Sequence, residues 1–109
     1  MANICMSRLT ITRNEKHQKV PLNSEATDLG DLIKRLDALT YDGFHHDIQD
    51  DVLEVETGHR WTPPFDELLQ ISHDFHVDIR CLYDEPGCCF MGAWKAENGT
   101  VTQDDSVDY

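Results

Sequence analysis

The sequence predicts an α+β protein in which two helices pack on one face of a sheet of about five strands. Apolar residues recur at helical spacing around residues 29–39 and 65–75. In the segments before, between and after them, apolar and polar residues alternate as they do in half-buried strands. The order is therefore strand, helix, strand, helix and a three-strand meander, which is typical of a two-layer sandwich. All 109 residues are expected to form a single domain.

The first half of the chain contains two of these strands and the first helix. Residues 3–12 form a strand, because β-branched and other apolar side chains alternate there with polar ones. Ser24 is the expected N-cap of the first helix, which ends near residues 41–43 at a glycine. Residues 51–57 then form the second strand.

The second helix has a distinct start signal. Thr62 is the expected N-cap and Pro63 suits the first helical position, because proline has no backbone N–H to leave unsatisfied there. Asp66 and Glu67 follow in the first turn, where negative charge interacts favourably with the helix dipole.

The last third of the chain reads as the meander. Residues 77–84 alternate most regularly, and the turn at residues 85–88 fits type II geometry with Gly87 at positive φ. The fourth strand follows, and Asn98-Gly99 turns the chain into a short last strand. Residues 104–109 form an acidic tail that we expect to fray.

The charge of the chain is unevenly distributed. The first 24 residues carry four basic side chains and one acidic, whereas the remainder carries 20 acidic and 5 basic, which gives the net charge of −12. Such a charge repels nucleic acid and anionic lipid, so we expect neither direct nucleic-acid binding nor membrane binding. It favours a basic partner. An acidic surface that serves only solubility is the alternative.

The acidic residues are densest in the middle of the chain. The segment from residue 42 to 56 contains no Lys or Arg and six carboxylates: Asp42, Asp47, Asp50, Asp51, Glu54 and Glu56. Glu54 and Glu56 share one strand face about 6.6 Å apart, which is similar to the spacing of backbone phosphates. The segment therefore fits a nucleic-acid mimic, and it equally fits a solvated loop with an edge strand charged against aggregation.

Three stretches together resemble a known family. They are the N-terminal residues 1–12, the Trp61-Thr62-Pro63-Pro64 helix entry, and residues 83–87 followed by Phe90, Gly92 and Trp94. In this order they resemble the YubB-type ferredoxin-like domain family of phage and plasmid proteins, over roughly residues 1–96. The resemblance implies a ferredoxin-like fold and a mobile-element origin. It carries over no catalytic residues.

The histidines and cysteines of the sequence do not have the spacing that is typical of a metal site or a catalytic site. His73 and His76 lie three apart near the end of the second helix, where contact with the helix C-terminus explains them. The four cysteines, Cys5, Cys81, Cys88 and Cys89, include no C-x-x-C pair, and we expect reduced thiols, the last three of them buried. We predict no metal, no cofactor and no enzymatic activity. A metal-dependent or thiol enzyme using Cys81 is the alternative.

The functional expectation is a binding protein of the host-cell cytosol, since no signal peptide is evident. It would inhibit a host defence complex of the kind that anti-CRISPR or anti-restriction proteins target, by occupying the groove of a basic nucleic-acid-binding protein or ribonucleoprotein. The expected contact residues are Asp47, Asp50, Asp51, Glu54 and Glu56, with Asp84 and Glu85 as outer candidates. The protein is expected to be a monomer or a small homo-oligomer. An interaction module that docks through exposed apolar residues, without mimicry, is the second hypothesis.

Overall fold

The computed structural model describes residues 4–17, 22 and 29–109. Within these ranges, six strands form one sheet and two α-helices pack on it. In chain order the elements are β1 (Ile4–Arg13), a 3-10 helix (Glu15–His17), α1 (Leu29–Ala38), β2 (Asp42–Gln49), β3 (Val52–Arg60), α2 (Phe65–Phe75), β4 (Val77–Glu85), β5 (Phe90–Glu97) and β6 (Thr100–Asp108). The expected α+β class is confirmed, with six strands where about five were predicted.

The strand order is β2-β3-β1-β4-β5-β6, and every neighbouring pair is antiparallel. Strands β1 and β2 therefore run in the same direction, joined through α1, with β3 between them. Strands β3 and β4 are related in the same way through α2, with β1 between them. These two interleaved split βαβ units are the ferredoxin-like arrangement. The β5–β6 hairpin extends the sheet beyond it.

The core lies between the two helices and one face of the sheet. Leu9 and Ile11 of β1 are fully buried, and their polar neighbours Arg8 and Thr10 point to the other face. The helices contribute Leu32, Leu36, Leu68 and Ile71 to the same cluster. Apolar burial on this face, worth roughly 1.5–3 kcal/mol for each large side chain, is what holds the two layers together.

Strand β2 is the element that the sequence did not predict. Its only large apolar residues are Phe44 and Ile48, which are half-buried at the edge of the core. The strand is connected to β3 through Asp50 and Asp51, with φ of 51° and 62°. Positive φ at both central residues is the geometry of a type I′ hairpin turn, which Asp tolerates better than most residues.

The start of α2 differs from the prediction. The helix begins at Phe65, and the residue at the N-cap is Pro64, with no side-chain capping hydrogen bond. Thr62 and Pro63 both lie before the helix, so Thr62 is not the cap and Pro63 is not the first helical residue. The backbone N–H of Thr62 donates to the carbonyl of Arg60 at 2.8 Å, in a bend that precedes the helix. The predicted N-cap of α1, Ser24, lies outside the described residues.

The turn after β4 and the C-terminal segment also differ from the predictions. Gly87 is not at positive φ, so the turn is not type II; the left-handed residue is Cys89, with φ of 59°. Residues 104–108 do not fray but lie in β6, paired with Phe90–Trp94 of β5. The tight hairpin at Asn98-Gly99, with φ of 47° and 88°, aligns this acidic segment for pairing despite its low intrinsic strand propensity.

Candidate partner-binding surface

The sheet has one face that the helices do not cover, and we call it the open face. It carries the outward-pointing residues of each strand, among them Arg8 of β1, Glu54 and Glu56 of β3, and Leu82 of β4. Leu82 lies on a central strand and is nevertheless 42 % exposed, because α1 and α2 pack on the opposite side. Any partner that binds to the open face would contact these side chains.

Four of the predicted contact residues come together in the β2–β3 hairpin. Asp47 and Glu54 are directly opposite each other in the strand register, and Asp50 and Asp51 form the turn that joins the two strands. All four are exposed. We call Asp47, Asp50, Asp51 and Glu54 the acidic hairpin. Directly opposed side chains in an antiparallel pair have Cβ atoms about 4.5–5.5 Å apart, so Asp47 and Glu54 repel each other at close range.

Glu56 differs from the acidic hairpin because it has a cationic neighbour. Its Oε1 lies 3.0 Å from Nη2 of Arg8 on the adjacent strand, and both side chains are mostly exposed. Asp47 and Glu54 make no ion pair with any residue that the structure describes. The negative charge of this face is therefore balanced at Glu56 and unbalanced at the opposed pair.

In the helix layer, by contrast, the carboxylate of Asp74 is paired with a cation. Asp74 of α2 lies 2.7 Å from Nη1 of Arg35 in α1, and Gln70 donates a second hydrogen bond to it. These hydrogen bonds lower the pKa of Asp74 to about 2. The ion pair links the two helices, so this charge supports the packing of the fold.

The two outer candidates have different positions. Asp84 is on the open face and accepts a hydrogen bond from the hydroxyl of Tyr109, which raises the pKa of that phenol to about 12. Glu85 is 1 % exposed, and its carboxylate accepts hydrogen bonds from the backbone N–H groups of Gly87, at 3.2 Å, and of Cys88. The prediction that Glu85 is an outer contact residue is wrong, because the turn after β4 uses its charge internally.

A polar cluster lies inside the core beneath the helices. The Ser7 hydroxyl is 3.0 Å from Nδ1 of His59, and both residues are buried. Burial lowers the pKa of His59 to about 4 and raises those of the neighbouring thiols, to about 11 for Cys5 and about 12 for Cys81. The imidazole and both thiols are therefore neutral near pH 7.

Cys88, Cys89, His73 and His76 are exposed. The exposure of Cys88 and Cys89 is contrary to the expectation that they are buried. His76 is the left-handed C-cap of α2, and its Nδ1 lies 3.1 Å from Oδ1 of Asn98. His73 precedes it in the last helical turn, which is the predicted location. Among the described residues, no three His, Cys, Asp or Glu side chains form a group that would hold a metal ion.

The sequence reasoning missed an apolar groove on the open face. A groove of about 680 Å³ runs across β1, β4, β5 and β6, and its apolar side chains are Met6, Leu82, Met91, Ala93 and Val107. The signal was present in β4, where Leu82 occupies an outward position between Arg80 and Asp84. It was diluted because the other members come from three separate strands.

The strand order and the carboxylate-rich open face together define an acidic ferredoxin-like domain. Residues 40–109 match the family described as the ferredoxin-like domain in Api92-like protein. Because this match covers more than half of the chain, the protein belongs to that family. Comparison with curated proteins and with solved structures gives no match. In the described part of the chain, no helix combines the length and apolarity needed to cross a bilayer.

Proposed function

We propose that this protein is a phage- or plasmid-encoded inhibitor that binds the nucleic-acid groove of a basic host defence complex in the host cytosol. It acts by occupying the groove and carries out no chemistry of its own. The acidic hairpin takes the place of a short run of phosphates.

The observation that supports this proposal is the opposed pair Asp47 and Glu54. Like charges directly opposite in a sheet destabilise it, by roughly 0.2–1 kcal/mol on the scale of cross-strand pairs. The pair lies at the exposed end of the hairpin beside Asp50 and Asp51, with no ion pair to any described residue. This cost in stability is explained if the two carboxylates bind a partner. Lys and Arg side chains of a basic groove would neutralise their charge.

Binding would follow from ordinary ion-pair physics. Carboxylates that meet Lys and Arg form charge-assisted hydrogen bonds, and complementary potentials accelerate the encounter. Glu56 can join the contact, because its ion pair with Arg8 is solvent-exposed and such pairs contribute only about 0–1 kcal/mol. The encounter should weaken as salt rises, since surface charges are screened beyond about 10 Å at 0.1 M salt.

A capture experiment tests the proposal. Immobilised protein is incubated with a nuclease-treated bacterial lysate, and proteins eluted by a salt gradient are identified by mass spectrometry. The test variant combines Asp47→Asn, Asp50→Asn, Asp51→Asn and Glu54→Gln. The control combines Asp31→Asn, Asp37→Asn, Asp66→Asn and Glu67→Gln, four exposed carboxylates of the helix layer, and changes the net charge equally.

The proposal predicts that wild type and control retain a nucleic-acid-binding protein or ribonucleoprotein, that the test variant does not, and that added double-stranded DNA displaces it. Equal retention by both variants would contradict the proposal. So would a retained partner that DNA does not displace. Thermal melting of all three proteins establishes that each is folded.

The alternative function is an interaction module without mimicry, and the apolar groove favours it. Its exposed side chains include Met6 and Val107, which are 54 % and 59 % exposed. Reversing the charge of Asp47 and Glu54 to Lys separates the two functions, because neither residue lines the groove. Loss of binding supports mimicry, and undiminished binding supports the module.

A further inference from the structure

The apolar groove is a second feature of the open face, separate from the acidic hairpin. Met6, Asp84, Met91 and Val107 stand opposite one another across β1, β4, β5 and β6. Leu82 and Ala93 form the neighbouring row on β4 and β5. Met91 pairs with Val107, and Leu82 pairs with Ala93, so these four side chains form one continuous apolar floor on β4, β5 and β6. Asp84 lies between this floor and Met6. An exposed apolar patch with polar residues around it commonly marks a binding site.

The size of this floor matches a helix. The three neighbouring strands β4, β5 and β6 span about 10 Å at the usual spacing of about 4.8 Å. A helix rises 1.5 Å per residue, so apolar side chains at positions i, i+3 or i+4, and i+7 of a helix extend over about 10.5 Å. Two of the lining side chains are methionines, which adapt their shape to different apolar partners.

The side chains around the apolar floor are mostly acidic, and this favours a basic partner. Asp84, Asp105 and Glu56 line the groove, and Arg8 is the one basic side chain among its lining residues. A second copy of this chain would bring the same acidic rim and a net charge of −12. A helix with basic residues flanking an apolar stripe would instead meet opposite charges on the rim and apolar contact on the floor.

We propose that this groove docks a basic amphipathic helix of a partner protein, with the apolar stripe of the helix on Leu82, Met91 and Val107. This inference does not depend on nucleic-acid mimicry. The groove would bind such a helix whether or not the acidic hairpin contacts the same partner.

The probe for the test is a synthetic 14-residue peptide of Leu and Lys, with the leucines at helical spacing. Its binding is measured by fluorescence anisotropy at 150 mM salt. We expect Leu82→Asn combined with Val107→Asn to weaken binding at least tenfold. The matched control is Val101→Asn, because Val101 is an exposed valine of the same strand β6 that does not line the groove. This control should bind within twofold of wild type.

Further arms distinguish groove binding from simple attraction of charges. A peptide of the same composition with its leucines scattered should bind at least tenfold more weakly. The four-residue variant of the acidic hairpin should retain binding within about threefold. The proposal is overturned if the hairpin variant abolishes binding while the groove variant does not. It is equally overturned if wild type forms a dimer in sedimentation that the groove variant dissociates, since a second copy would then be the occupant.

Met91→Gln provides an independent groove variant in case Leu82→Asn reduces stability. It should weaken binding severalfold with an unchanged melting temperature, because Met91 is 42 % exposed. Amide chemical shifts of the wild-type protein should change at β4, β5 and β6 when the peptide is added. Changes confined to α1 and α2 would also overturn the proposal.

Discussion

Glu54 and Glu56 lie two residues apart on the same face of β3, but among the residues that the structure describes only Glu56 has a cation within ion-pair distance. Arg8 balances Glu56 at 3.0 Å, whereas Glu54 faces Asp47 across the hairpin. The two glutamates therefore form a natural matched pair, in which the same substitution removes an attraction at one site and a repulsion at the other.

We expect Glu54→Gln to raise the free energy of unfolding by roughly 0.2–1 kcal/mol, because it removes the repulsion with Asp47. Glu56→Gln should lower it by about 0–1 kcal/mol, because it removes the exposed ion pair with Arg8. Urea denaturation at low salt measures both, and the difference should shrink at 1 M salt. A larger loss of stability at Glu54 than at Glu56 would show that Glu54 supports the fold.

The buried pair Ser7 and His59 predicts a pH dependence of stability. The pKa of His59 is about 4 in the folded state against the ordinary 6.5, so between these values the unfolded chain binds the additional proton. Above about pH 6.5 His59 is neutral in both states and does not reduce the free energy of unfolding. As the pH falls from about 6.5 toward 4, protonation of His59 in the unfolded chain lowers the free energy of unfolding. A shift of this size corresponds to about 3 kcal/mol.

The variant His59→Asn isolates this contribution from that of the many surface carboxylates. We expect the stability advantage of wild type over the variant to shrink by about 2–3 kcal/mol between pH 7 and pH 4, as measured by urea denaturation. Cys5 and Cys81 do not titrate in this range, because burial raises their pKa values to about 11 and 12. A difference that stays constant with pH would mean that the pKa of His59 is the same in the folded and unfolded states.

Two glycines should respond in opposite ways to alanine. A Cβ at Gly92 would overlap the ring of Tyr83 and lie 2.5 Å from the carbonyl oxygen of Asp105, so Gly92→Ala should cost about 1–3 kcal/mol. No described residue lies within 4 Å of a Cβ at Gly30 in α1, so Gly30→Ala should stabilise by about 0.5–1 kcal/mol. Thermal melting compares them. Equal effects of the same sign would contradict the close packing of Tyr83 on β5.

The buried carboxylate of Glu85 should be essential to the turn after β4. Glu85→Ala leaves the N–H groups of Gly87 and Cys88 without their acceptor and should cost about 1–3 kcal/mol. Asp84→Ala, at the half-buried neighbouring position, should cost less. Urea denaturation of both variants tests this order, and the reverse order would show that the bond from Tyr109 to Asp84 matters more.

The parts of the fold with a strong apolar pattern could be predicted from the sequence. Strand β4 is the clearest, because Val77, Ile79, Cys81 and Tyr83 are buried in strict alternation. Strand β2 could not be predicted, because its His45-His46-Asp47 stretch has no apolar alternation and its pairing depends on the turn at Asp50 and Asp51. Strand β6 is stabilised by pairing with β5 and not by its own acidic composition.

The acidic residues of the candidate site could be predicted from the sequence, but their arrangement in space could be predicted only in part. The acidic segment from residue 42 to 56 was evident, but that Asp47 opposes Glu54 required the register of an unpredicted strand. Glu85 was indistinguishable in sequence from its neighbour Asp84, because only the folded turn reveals which carboxylate accepts hydrogen bonds from the backbone N–H groups. The apolar groove required knowledge of which strands are neighbours.

The most direct test of the central claim is the salt dependence of affinity for the captured partner, measured for wild type and for the four-residue variant of the acidic hairpin. We predict that wild-type affinity falls at least tenfold between about 50 and about 300 mM salt, because ion pairs from surface carboxylates hold the partner. We also predict that the variant binds at least 100-fold more weakly at the lower salt concentration. Affinity that is independent of salt, or equal for the two proteins, would contradict the claim that the acidic hairpin binds a basic groove.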